Sequence, residues 1–188
     1  MALDAGQLRA LVTDTLGRLG ESGRFAAHPA VNLVLGTMAV ESELRFIRQI
    51  PNAGGQAGPA RGLAQCEPAT ALDIWDNYLK ARMARFDSAW QRATGLTLPE
   101  SFTPHWLPAE EPERGAQQRD HIGYLLMGNL HLAICLCRMH YWRLPDVLPT
   151  TLDGAAQFWK LLYNTPLGAG TPEKFIAAYT RLLGAWEV

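Results

Sequence analysis

The sequence predicts an all-α (mainly α) protein built around one central, buried helix. Three observations carry this. Apolar residues recur at three- and four-residue spacing in several windows. Proline and glycine interrupt the chain where those windows end. No segment shows the strict alternation of a half-buried strand, although a small hairpin fits near 48–62.

The elements follow in order. Leu8, Leu11, Val12, Leu16 and Leu19 share one helical face, which predicts a helix over 4–19 ended by Gly20 and Gly23. Pro29 is a favoured first-turn residue. It opens a second helix that runs through Val31, Val34, Leu35 and Met38 to about Phe46. That helix is apolar on most sides, the pattern of a buried element. Residues 49–62 are rich in glycine and proline and read as loop. Pro68 opens a third helix containing Leu72, Ile74, Trp75, Tyr78 and Leu79. Residues 95–113 hold four prolines and read as an irregular connection, an insertion or small lobe over 95–115. A single long helix is expected over about 116–142, carrying Ile122, Leu125, Leu126, Leu130, Ala133, Ile134 and Cys137 and stopped by Pro145 and Pro149. Residues 153–163 form a further helix and 164–170 a turn. Thr171-Pro172-Glu173 caps a last helix that reaches about Trp186.

Composition narrows the function classes. The chain has 188 residues, 48% apolar and 19% charged, which suits one domain over 1–188 with a real core. Six Trp, six Phe and five Tyr with so little charge exclude general disorder. Seventeen Lys and Arg against eighteen Asp and Glu argue against binding nucleic acid or an anionic membrane through bulk charge. No uninterrupted apolar run of about 18 residues occurs, so no membrane span is expected. The opening MALDAGQLRALVTD lacks the basic and apolar regions of a secretory signal, so the chain is expected to be made in the cytoplasm. Cys135 and Cys137 are two apart in a helical stretch and badly placed to bond each other. They and Cys66 are read as reduced.

Chemistry gathers at two loop–helix junctions. Glu41-Ser42 lies near the end of the buried helix, and Gly62-Leu63-Ala64-Gln65-Cys66-Glu67-Pro68-Ala69-Thr70-Ala71 follows it. Tyr163-Asn164 precedes a glycine-rich turn. A glycosidic oxygen leaves poorly until protonated, so its acid must hold a proton near neutral pH. Glu41, at the end of an apolar helix where a glycine-rich loop opens a cleft, is placed for that by desolvation. Ser42 is in reach of substrate or backbone near Glu41. The Gln65 amide can both donate and accept. Gly62 lets the backbone come close to a sugar. Tyr163 can stack on a ring or position Glu41, and Asn164 can bind an acetamido carbonyl.

In this order the motifs resemble the lytic transglycosylase and goose-type lysozyme group of the lysozyme superfamily, over about residues 30–170. The family pattern is Glu-Ser, then Gly-Leu-Met-Gln, two residues and Pro-x-Thr-Ala, then Tyr-Asn. Here Ala64 replaces the Met. Asn129 falls roughly at the third motif without the usual Gly and Tyr-Leu pattern. The resemblance implies a lysozyme-like fold and cleavage of the bond between N-acetylmuramic acid and N-acetylglucosamine in peptidoglycan glycan strands. It implies one catalytic residue, Glu41, acid and then base, as the substrate's own C6 hydroxyl closes an anhydro ring. It implies no metal and no cofactor.

Other readings stand beside these. Glu43, Glu67 and Asp73 leave a hydrolytic muramidase open. A non-enzymatic virion or tail protein retaining the fold, or a glycan-binding module, is also open. An active enzyme requires Glu41, Gln65 and Tyr163 around one open groove, whereas a structural protein fills that groove or ties Glu41 in a salt bridge. Glu41 is otherwise a solvated helix-end carboxylate and Ser42 a helix-end polar residue. Gln65 and Asn164 are otherwise turn residues, and Tyr163 core. Glu67 before Pro68 suits a helix dipole. His105, His121, His131 and His140 show no paired metal spacing. The Cys66 thiol reads as a small buried hydrophobe. Trp75, Tyr78, Trp90, Trp106, Tyr141, Trp142 and Trp159 are mostly core, with a sugar platform among them open. The wall lies outside the cytoplasm, so action there without a signal requires delivery. Injection with a bacteriophage virion, mounting on its tail, release through a holin pore, or a bacterial secretion system would each supply it. Residues 158–179 also resemble small phage-encoded proteins.

Overall fold

The second expected helix has no solvent face, and the other helices are arranged around it. In the computed structural model, which describes residues 3–20, 23–51, 55, 57–164 and 168–186, α2 runs His28–Ser42 and buries every residue from Ala30 to Ala39. Around it pack α1 (Ala5–Arg18), α7 (Leu130–Trp142), α8 (Leu152–Leu162) and α9 (Pro172–Leu183). The α2–α9 contact is close at Gly36, where an added Cβ would lie 2.2 Å from Phe175 Cζ. The polar side chains that α2 buries at Asn32 and Thr37 are paired. Thr37 Oγ1 donates to Leu33 O and bonds Tyr141 Oη, and Asn32 Oδ1 accepts from Arg9 Nη1 at 2.7 Å.

α2 ends at Ser42 rather than near Phe46. Glu43 and Leu44 both adopt left-handed backbone, at φ 52° and 54°. Buried Leu44 turns the chain back toward the core, at an expected backbone cost of about 1–2 kcal/mol per residue. Residues 45–62 then run irregularly among those described. Isolated bridges pair Arg48 with Arg61 and Arg61 with Cys66, and no strand forms among the described residues. Residues 52–54 and 56 of the hairpin expected at 48–62 lie outside the described residues, as do 165–167 of the turn expected at 164–170.

α3 (Pro68–Ile74) passes through a π turn at Trp75–Leu79 and a 3₁₀ turn at Lys80–Arg82 into α4 (Met83–Thr94). α4 has no counterpart among the sequence expectations. Yet Phe86, Ala89, Trp90 and Ala93, all buried, have the spacing of one helical face. The segment expected to be irregular over 95–115 contains a short helix, α5 (Leu98–Phe102), started by a reciprocal Thr97–Glu100 capping box. Phe102 stacks on Trp75 at 5.1 Å, and Ser101 accepts from Trp90 Nε1, so this stretch joins the core.

The single helix expected over 116–142 is two helices. α6 (Glu113–Gly128) and α7 meet at an angle of 109°. The break follows from Gly128 and Asn129. Asn129 is extended (φ −119°, ψ 93°) and its Oδ1 accepts from Leu132 N at 2.9 Å, capping α7. Its Nδ2 donates to Thr94 O, fastening the corner to the end of α4. Thr151 and Thr171 cap α8 and α9, the latter with Pro172 at its first turn as expected. The last helix stops at Leu183. No single helix among the described residues is long and apolar enough to cross a membrane.

Asn129→Ala removes a cap and strips Thr94 O of its donor. Urea denaturation should show stability lower by about 1–3 kcal/mol.

Candidate active site

The C-terminal turn of α2 opens into a cleft of about 400 Å³, whose lining includes Glu41, Gln65, Glu67, His140, Tyr163 and Asn164. Three chain segments bring these together: the end of α2, the 61–67 turn before α3, and the end of α8 against α7.

The turn is held by backbone bonds in both directions between Arg61 and Cys66, with Gly62 N donating to Ile47 O. Gly62 is left-handed (φ 71°), and a Cβ there would meet Leu126 O at 2.5 Å. It lies against the end of α6 rather than in the cleft. Glycine is needed for helix packing here, not for the approach of a sugar. Gln65 is also left-handed (φ 47°), held there by Nε2 donating to Gly62 O at 2.7 Å and Phe46 O at 3.2 Å. Its Oε1 accepts from no described residue and remains available to the cleft that Gln65 lines.

Glu41 Oε1 accepts from Trp159 Nε1 at 3.0 Å, and no cation pairs with Glu41 among the described residues. Burial raises its pKa to about 7, against the opposing pull of the Trp159 bond. The carboxyl is therefore about half protonated at neutral pH. Its neighbours behave differently. Glu43 points away to Arg45 and Arg181, the latter at 3.5 Å. Asp73 is bonded by Arg143 and Asn77, which lower its pKa. Glu67 lines the Glu41 cleft.

The structure does not bring Ser42 to the cleft. It is buried, with Oγ donating to Met38 O at 2.9 Å, and serves as a helix-end polar group. Tyr163 lines the cleft wall. Its hydroxyl donates to Ala64 O at 2.8 Å, so it latches α8 to the 61–67 turn, and its ring packs on His140 at 4.7 Å. Asn164 Oδ1 accepts from Lys160 Nζ and Gly170 N, while its Nδ2 donates to no described residue. The cleft thus offers an unused amide acceptor at Gln65 and an unused amide donor at Asn164.

Sequence reasoning assigned Trp159 to the core and gave His140 no role at the site. Trp159 is buried, but its N–H is spent on Glu41. A buried indole usually finds an acceptor, but Trp75 Nε1 has none here, so the need alone does not pick out Trp159. His140 Nε2 pairs with Leu162 O, burial lowers its pKa, and its buried Nδ1 has no partner. The Cys66 thiol, also at the cleft wall, is buried and pushed up to about 12, which makes it a poor nucleophile. No cluster of His, Cys, Asp or Glu suited to a metal ion occurs among the described residues. Asn129, the third-motif residue, caps α7 instead of facing the cleft. Comparison with protein-family models, curated proteins and solved structures finds no match.

Because Glu41 holds its proton more tightly folded than unfolded, stability should fall as pH rises from 4.5 to 7 and be level beyond. Glu41→Gln keeps an acceptor for Trp159 and removes the buried charge. Thermal unfolding should show it more stable than the parent by about 3 kcal/mol at pH 8, with little difference at pH 4.

Proposed function

We propose that the protein is a peptidoglycan lytic transglycosylase cleaving the bond between N-acetylmuramic acid and N-acetylglucosamine. The observation that carries this is Glu41: a carboxyl held near pKa 7, unpaired with any described cation, at the wall of an open cleft. Such a group can give a proton at neutral pH and take one back.

In the proposed reaction the Glu41 proton passes to the glycosidic oxygen as the bond from the muramyl C1 breaks. The leaving sugar departs with a new hydroxyl. The Glu41 carboxylate then takes the proton of the muramyl C6 hydroxyl while O6 bonds to C1, closing a 1,6-anhydro ring and restoring the acid. No second carboxylate enters. The Trp159 bond holds one Glu41 oxygen and steadies the ionised form between the two steps. Gln65 and Asn164 supply an acceptor and a donor suited to an acetamido group. Tyr163 acts as the latch that keeps the turn bearing Gln65 against α8. The open groove and unpaired Glu41 support an enzyme over a structural protein that keeps the fold. Delivery to the wall by a bacteriophage virion or tail is the route proposed with this activity.

Glu67 on the same cleft favours one second reading, a hydrolytic muramidase that uses it as the second carboxylate. Purified protein incubated with bacterial sacculi separates the two by the mass of the released muropeptides. Anhydro-muramyl ends, retained in Glu67→Gln and lost in Glu41→Gln, are expected. Reducing ends lost in Glu67→Gln would establish the hydrolase, and no release at all beside an active control lysozyme would overturn both.

The acid must be protonated to start. The kcat/KM on soluble glycan should therefore fall about tenfold per pH unit above pH 7 in a steady-state profile.

A further inference from the structure

On another part of the surface a cleft of about 470 Å³ shares no lining residue with the Glu41 cleft. Arg138, from the middle of α7, lines it while being only 2% exposed. Its Nε donates to Phe25 O at 3.3 Å, and its guanidinium lies 5.7 Å from the Phe25 ring and 5.0 Å from the Trp142 ring. No carboxylate among the described residues pairs with it. A buried cation is ordinarily matched by an anion, because the faces of two rings replace only part of the lost hydration. Burial pulls the Arg138 pKa down to about 10, so the group is still charged at neutral pH.

Two further positive features face the same cleft. Arg24 lies 5.8 Å from the Trp142 ring and also has no carboxylate partner among the described residues. The N-terminus of α2 reaches the cleft through Ala27 and Pro29, with no side-chain cap and no acidic residue in its first turn. The positive end of a fifteen-residue helix is thus unmatched there. Asp146 is the one acid among the lining residues, and it is exposed and paired with neither arginine. Val147, at the rim, is 90% exposed, an apolar surface left for a ligand body to cover.

We propose that this cleft binds an oxyanion, a carboxylate or phosphate group held between Arg138 and Arg24 at the head of α2. The two guanidiniums can each give paired N–H donors to such a group. The site is independent of the proposed glycan cleavage, and its failure leaves that reading untouched.

The test titrates the full chain with inorganic phosphate and, separately, with acetate, at ionic strength held constant with chloride. Tryptophan fluorescence and melting temperature are read together, and a Trp142→Phe variant assigns the optical signal. A saturable response to either anion is expected, with a raised melting temperature. It should be weakened at least tenfold in Arg24→Gln and Arg138→Gln and unchanged in Glu41→Gln. Should Arg138→Gln fail to fold by circular dichroism, the exposed Arg24→Gln carries the test alone. A saturable response to neither anion, or one that Arg24→Gln leaves intact, overturns the site.

Discussion

A helix without a solvent face cannot satisfy itself. α2 must be enclosed by α1, α7, α8 and α9, and each enclosing helix must turn an apolar stripe inward. Where the enclosure stops, at the last turn, a carboxyl is left half inside. Glu41 is then stripped of water by the same packing that holds the fold, and one indole N–H is its hydrogen-bond partner among the described residues. The proposed chemistry is thus a by-product of where the core ends. This also sets a tension between stability and the proposed activity, since the charged form is the one the fold tolerates least.

The strained backbone lies beside this end. Glu43, Leu44 and Gln65 are the described residues other than glycine with left-handed φ, and they flank Glu41 on the 43–44 and 61–67 turns. Such conformations persist only where surrounding contacts over-determine them. Gln65 is held by two bonds from its own amide and Leu44 by burial. The latch from Tyr163 to Ala64 closes the ring of constraints by joining α8 to the turn.

Local signals were legible where chemistry and periodicity agreed. Pro29, Thr171 and Pro172 mark helix starts that the structure shows, and the uniform apolarity of 30–39 announces burial. Glu41, Gln65, Tyr163 and Asn164 do share one cleft. Ser42 and Gly62 do not, because one hydroxyl bonds its own helix and one glycine is needed against Leu126 O. Both are facts of packing that spacing does not encode. The 109° corner was obscured because apolar residues continue on both sides of Asn129, and the bond to Thr94 that fastens its capping side chain lies far off in sequence. α4 was readable from Phe86, Ala89, Trp90 and Ala93, but it follows a 3₁₀ turn directly and no capping side chain or proline marks its start. The pairing of Trp159 with Glu41 spans the chain and has no local mark.

The three thiols have a consequence for where such a fold can work. Cys66, Cys135 and Cys137 are free and buried, and burial raises all three well above the ordinary thiol range. Burial thus disfavours the thiolate, the form that oxidants and disulfides attack. These three side chains are therefore shielded from thiol exchange. A passage from a reducing to an oxidising medium is then expected to leave them as thiols, and the cleft that Cys66 lines with them.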